Sequence, residues 1–116
     1  MEELFGPSAV LFESGEGEES LRIECTVTPD GGLLIMQESD GPLTMWCFEE
    51  TPHRVETEVD PRCAAMLSDY FHLDEAGQLP AVLRMEYTGF DSGQRIRELM
   101  RRLEIPYQVL EHAIER

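Results

Sequence analysis

Cys63 is the residue best placed to do chemistry. Asp60-Pro61 reads as a helix start, an acidic cap followed by proline at the first helical position, which puts Cys63 in the first turn. A helix N-terminus lowers a thiol pKa, so this cysteine alone has a stated reason to be reactive. Two features oppose that use. The Asp60 charge works against a thiolate, and Ala64, Ala65 and Met66 make the neighbourhood resemble core. Cys25 and Cys47 also sit among apolar residues. The count is odd and no C-x-x-C spacing occurs, which argues against a disulfide framework or a zinc ribbon. The reading is three reduced, buried thiols.

The other chemical residues are scattered. His53, His72 and His112 form no i, i+4 pair and no H-E-x-x-H motif, so a metal site would need Cys63, His72 and a carboxylate to meet in space. The carboxylate pairs Glu49-Glu50, Glu56 with Glu58, and Asp74-Glu75 are uninformative in a chain with 24 acids. Asp30-Gly-Gly32 and Glu16–Glu19 lack the ligand spacing of an EF-hand loop. Gly89–Gly93 leads into a helix N-terminus that suits an anion, but Asp91 and Gln94 read as a capping box that occupies those donors. No serine stands in G-x-S-x-G. All nine bases are arginine, so lysine Schiff bases and P-loop lysines are excluded. No cofactor and no metal are expected.

Charge is more informative. The 24 acids and nine arginines of this 116-residue chain leave a net charge of −15. Residues 1–60 hold 15 acids and 2 arginines, a net of −13, whereas residues 61–116 hold 9 acids and 7 arginines, a net of −2. Such a field repels phosphates and attracts cationic partners. Acid also serves plain solubility. Nucleic acid is disfavoured as a partner. No apolar run reaches the roughly 20 residues of a membrane helix, and Met1-Glu-Glu-Leu-Phe-Gly-Pro7 does not read as a secretory signal. A cytoplasmic protein with no membrane contact is the expectation.

The elements that must position these residues change character midway. Residues 8–14 form an apolar run. Leu21, Ile23, Cys25 and Val27 then alternate with Arg22, Glu24, Thr26 and Thr28, the period of a strand with one buried face. Pro29-Asp-Gly-Gly32 is a turn. Strands are predicted from Leu33, over Leu43–Phe48 and over His53–Val59, with breaks at Asp40-Gly41-Pro42 and Thr51-Pro52. Ala64, Leu67 and Phe71 then take helical spacing, and that helix should run to about Leu73. Ala81, Leu83, Met85 and Tyr87 alternate, which predicts a further strand. Ile96, Leu99, Met100 and Leu103 fill i, i+3, i+4, i+7, the cleanest helix in the chain. Its arginines, Arg95, Arg97, Arg101 and Arg102, read as a solvated face or a stripe packing on the acidic sheet, with Glu98 pairing to Arg101 and Arg102. Residues 105–111 fit a last strand slightly better than a helix.

The fold class is therefore α+β, a single acidic domain over residues 1–116. An antiparallel β-meander of about five strands leads into a helix–strand–helix(–strand) unit packed on the sheet. The strands at 33–36 and 43–48 are apolar on both sides, which implies a second covered face. Leu34, Met36, Trp46 and Phe48 should share that face, with Glu24, Glu56 and Glu58 around them, the anatomy of a protein interface. The function that fits is non-catalytic binding of a protein with a basic surface, as an acidic inhibitor, immunity or antitoxin-like protein would do. Glu24, Met36, Trp46, Phe48, Glu56 and Glu58 are the candidate contacts. A homodimer, or a stable complex, that buries Trp46 is expected, with two-fold pairing of identical sheet faces the simplest form. The competing reading is a small enzyme or ligand-binding domain with a pocket near Cys63, His72 and Tyr87.

Overall fold

The computed structural model describes residues 8–15, 19–48 and 52–113. Glu16–Glu18, Glu49, Glu50 and Thr51, on which parts of the sequence reading rest, lie outside the described residues, as does the His112 side chain. The fold is α+β, with an antiparallel five-stranded meander and four helices. The strands are β1 (Ser8–Ser14), β2 (Ser20–Val27), β3 (Leu33–Asp40), β4 (His53–Val59) and β5 (Gln108–Ala113), and they lie in the sheet in chain order. The helices are α1 (Pro42–Phe48), α2 (Pro61–Tyr70), α3 (Leu79–Glu86) and α4 (Ser92–Arg102). A 3₁₀ turn at Ala76–Gln78 precedes α3.

The period of two works as expected in β2 through β4. Ile23, Cys25, Leu33, Ile35 and Thr57 are each at most 2% exposed, and pairing of Cys25 with Ile35 and of Ile35 with Thr57 puts them on one side. That side meets Cys63, Ala64 and Leu67 of α2, Leu79 and Leu83 of α3, and Ile96, Leu99 and Met100 of α4 in one cluster. The β2–β3 turn closes through Gly31 at φ +94°, which a side chain rarely adopts, and through Gly32, where a Cβ would lie 2.6 Å from the Val59 carbonyl oxygen. Helix α2 begins as predicted, with the Asp60 carboxylate accepting from the Cys63 N–H at 2.8 Å. Both α2 and α4 end on a left-handed residue, His72 and Glu104. The next residue's N–H then bonds back to a carbonyl in the last turn, Leu73 to Ser68 and Ile105 to Met100.

Two strand assignments are corrected. Residues 43–48 lie within helix α1. Pro42 sets the φ of a helix start, and the anchor comes from elsewhere in the chain. The Glu19 carboxylate accepts from the Leu43 N–H at 2.8 Å and from the Thr44 hydroxyl. No pattern within residues 43–48 reveals a partner 24 positions away. Consequently Met45 and Cys47, expected in the core, are exposed.

Residues 81–86 lie within helix α3. Leu79 and Leu83 are fully buried, and the Tyr87 N–H caps the Leu83 carbonyl oxygen, so the 79, 83, 87 spacing of a helix overrides the 81, 83, 85, 87 alternation of a strand. The capping box at Asp91 does not form either. Asp91 lacks the extended ψ of a cap, its carboxylate accepts from Arg95 Nε at 3.2 Å, and Gln94 donates to Glu98 instead.

The helical assignment of α3 separates two residues that a strand would place together. Leu83 is 0% exposed and Met85 is 81% exposed. We expect Leu83→Ala to cost about 2–5 kcal/mol in urea unfolding. Met85→Ser should stay within about 0.5 kcal/mol. Equal costs would restore the strand reading.

Candidate protein-binding surface

Because the core occupies one side of the sheet, alternation sends the intervening residues to the other side. Pairing registers align them in rows. Val10 opposes Glu24, Glu24 opposes Met36, Met36 opposes Glu56, and Glu56 opposes Leu110, one residue from each strand. The adjacent row runs Ser8, Thr26, Leu34, Glu58 and Gln108. Adjacent strands are about 4.8 Å apart, so Glu24 and Glu56 flank Met36 closely on both sides. Helices α2, α3 and α4 all contribute to the core on the opposite side.

The charges on this outer face are graded. Arg22 is held by Glu13 at 2.7 Å and by Glu24 at 3.3 Å, and Arg54 is held by Glu38 at 2.7 Å. The glutamate contacts raise the already high pKa of Arg22, foremost its hydrogen bond to Glu13. Both arginines of the face are thus tied to acids. Toward the other end, past Leu34 and Glu58, the face opens into a groove of about 720 Å³. Asp30, Glu58 and Asp60 line it together with Leu34, Pro106 and Tyr107, and no arginine does. Asp30 is held below its ordinary pKa, first by the Thr28 hydroxyl and then by the Gly32 N–H. Asp60 is held low by the Cys63 N–H.

The structure brings four of the six candidate contacts together on this face: Glu24, Met36, Glu56 and Glu58. Trp46 and Phe48 are not among them, because they belong to α1 rather than to a strand. Trp46 is 81% exposed, beside exposed Leu43 and Met45, at the end of the sheet where α1 joins β3 to β4. Phe48 stacks on His53 with ring centroids 3.9 Å apart. The expected packing of Leu34, Met36, Trp46 and Phe48 as one sheet face is therefore corrected. The row that does exist includes Val10 and Leu110, which sequence reasoning missed. Their place depends on strand pairing across the whole chain.

The residues of the competing pocket are not gathered. Cys63 is buried at the start of α2, and His72 is exposed beyond its end. The helix alone rises about 10 Å from Cys63 to Tyr70, so the two residues stand at opposite ends of α2. Tyr87 instead carries Arg95 over its ring at 5.5 Å and helps line a shallow basic niche with Arg95, Glu98, Arg101 and Arg102. Two of the α4 arginines reach across to the sheet and to the segment that leads into β5. Arg97 donates to the Thr57 hydroxyl at 3.1 Å and Arg101 to the Tyr107 hydroxyl at 2.6 Å. Glu98, expected to pair with Arg101 and Arg102, accepts from Gln94 instead. Among the described residues no three His, Cys, Asp or Glu side chains cluster to hold a metal ion. No helix among them is long and apolar enough to cross a membrane.

All three thiols are free. Burial pushes Cys25 up to about 12. Cys63 is raised by burial and then by the Asp60 carboxylate, so the helix N-terminus does not activate it. Cys47 is exposed. We expect one thiol of the native protein to react rapidly with a disulfide reagent and all three to react after denaturation. Rapid labelling of Cys63 would overturn this account.

Asp60 also yields a pH dependence. Its folded pKa is depressed, so its contribution to stability is present above the ordinary aspartate value of about 3.9 and is lost as pH falls through the folded value. Asp60→Ala should lower the thermal midpoint at neutral pH, and the gap to wild type should close in acid. Asp60→Asn keeps a capping oxygen and should recover much of the loss.

Compared with protein-family models, with curated proteins and with solved structures, the chain matches none.

Proposed function

We propose that this chain is a non-catalytic protein-binding module that docks a basic partner surface on the outer face of its sheet. The observation that carries this reading is the row Val10, Glu24, Met36, Glu56 and Leu110, apolar and acidic by turns on the side opposite the α2–α4 core. Met36 and Leu34 supply apolar contact at the centre. Glu24, Glu56 and Glu58 supply the acid around them, Glu24 in contact with Arg22, and the groove beyond Glu58 extends it with Asp30 and Asp60. Electrostatic complementarity of this kind speeds encounter and selects partners by sign. A net charge of −15 disfavours nucleic acid. An inhibitor, immunity or antitoxin-like role, in which an acidic protein sequesters a basic one, fits these properties. Three free thiols suit a reducing compartment such as the cytoplasm. Exposed Trp46 on α1 is a second anchor, since tryptophan is enriched among residues that dominate binding energy.

Capture from lysate of the source cells with the immobilised protein tests this reading. A specific partner should be retained at low salt and released at high salt, because exposed charges are screened within roughly 10 Å at 0.1 M. The triple variant Glu24→Arg, Glu56→Arg, Glu58→Arg and the single variant Met36→Asp should each lose it. Trp46→Ala should weaken it by tenfold or more, on the order of 1.4 kcal/mol. Retention by the triple variant would refute the docking face.

A further inference from the structure

The two edges of the sheet are built differently. At the β1 edge the register shifts between Val10 and Phe12. The bulged Leu11 is buried, and its carbonyl oxygen accepts from the Gly89 N–H at 3.3 Å. A bulge covered by a loop is a standard guard against strand addition. Among the described residues the β5 edge has no such guard. Its register with β4 runs without a shift from Gln108 to Ala113, and among the described residues no strand lies on its other side. Val109 and Leu110 face opposite sides of the sheet and are 43% and 47% exposed. Within β5, Gln108, Val109 and Leu110 carry no charge, and Glu111 follows them with its carboxylate 3.9 Å from His53 Nε2.

We propose that two copies of this chain pair through β5, antiparallel about a two-fold axis, to form one continuous sheet. The occupant is a second copy because the strand is complementary to itself. With Leu110 on the axis, Leu110 meets Leu110 of the second copy, and the row Glu24, Met36, Glu56, Leu110 continues in mirror order across the junction. On the core side Glu111 then faces Val109 of the second copy. Val109 pairs with Thr57, whose hydroxyl accepts from Arg97. Glu111 thus approaches Arg97 of the second copy, opposite charges on the same side. The guarded β1 edge prevents further addition, so pairing closes at two. This inference is independent of the basic-partner reading, and the two respond oppositely to salt. Screening relieves repulsion between two acidic copies, whereas it weakens a basic partner.

Light scattering and sedimentation equilibrium on the purified protein decide it. The wild type should be a dimer in the micromolar range and should persist at high salt. Leu110→Arg places like charges together on the axis and should give a monomer with unchanged circular dichroism, since Leu110 is exposed. Leu110→Cys, in a Cys47→Ser background, should oxidise to a cross-linked dimer, because directly opposed Cβ atoms lie about 4.5–5.5 Å apart. A monomeric wild type would overturn the proposal. So would a dimer that survives Leu110→Arg but is lost in Trp46→Glu, which would place the contact at α1.

Discussion

Successive side chains of a strand point to opposite sides of a sheet, and helices α2, α3 and α4 cover one side only. Everything else in this molecule answers to that constraint. Ile23, Cys25, Leu33 and Ile35 must face Leu67, Leu83, Ile96 and Met100 to escape water. Glu24, Met36 and Glu56 are then sent outward. The acidic surface and the apolar core are two consequences of a single register. A slip of one residue between β2 and β3 would bury Glu24 and expose Ile23. The register is pinned at the β2–β3 turn, where Gly31 and Gly32 permit a backbone path that a Cβ would block.

The charges divide along the same boundary. On the outer face Arg22 and Arg54 are each bound to glutamates, and the adjoining groove is lined by Asp30, Glu58 and Asp60 with no arginine, which sets the sign of the field there. On the helical side Arg95, Arg97 and Arg101 are spent on Tyr87, Thr57 and Tyr107. The exposed ion pairs of Arg22 and Arg54 contribute about 0–1 kcal/mol each. They do little for stability. Their effect is on what the molecule attracts.

Legibility followed the range of the interactions. The alternation in residues 21–27 and 53–59 and the helical spacing of residues 96–103 report local burial directly, so the strands and α4 were readable. The Asp60-Pro61 start of α2 was readable because cap and helix are adjacent in the chain. Residues 43–48 were not readable, since Glu19 holds the start of that helix from 24 positions away. Residues 81–87 satisfy both periods at once, and only the packing of Leu79 and Leu83 under the sheet chooses between them. The candidate surface divides in the same way. Glu24, Met36, Glu56 and Glu58 were read as outward residues from alternation alone, whereas Val10 and Leu110 join them only through pairing.

By itself the sequence determined the class of the fold, the acidic imbalance, the absence of lysine chemistry and the side of the sheet to which each residue of β2 and β4 belongs. These are properties of composition and of neighbours a few residues apart. Tertiary structure decided that Trp46 stands on a helix at the end of the sheet, that Cys63 is buried away from His72, and that five strands align Val10 with Leu110 in one row. Each of those depends on contacts between residues far apart in the chain, and no local period carries that information.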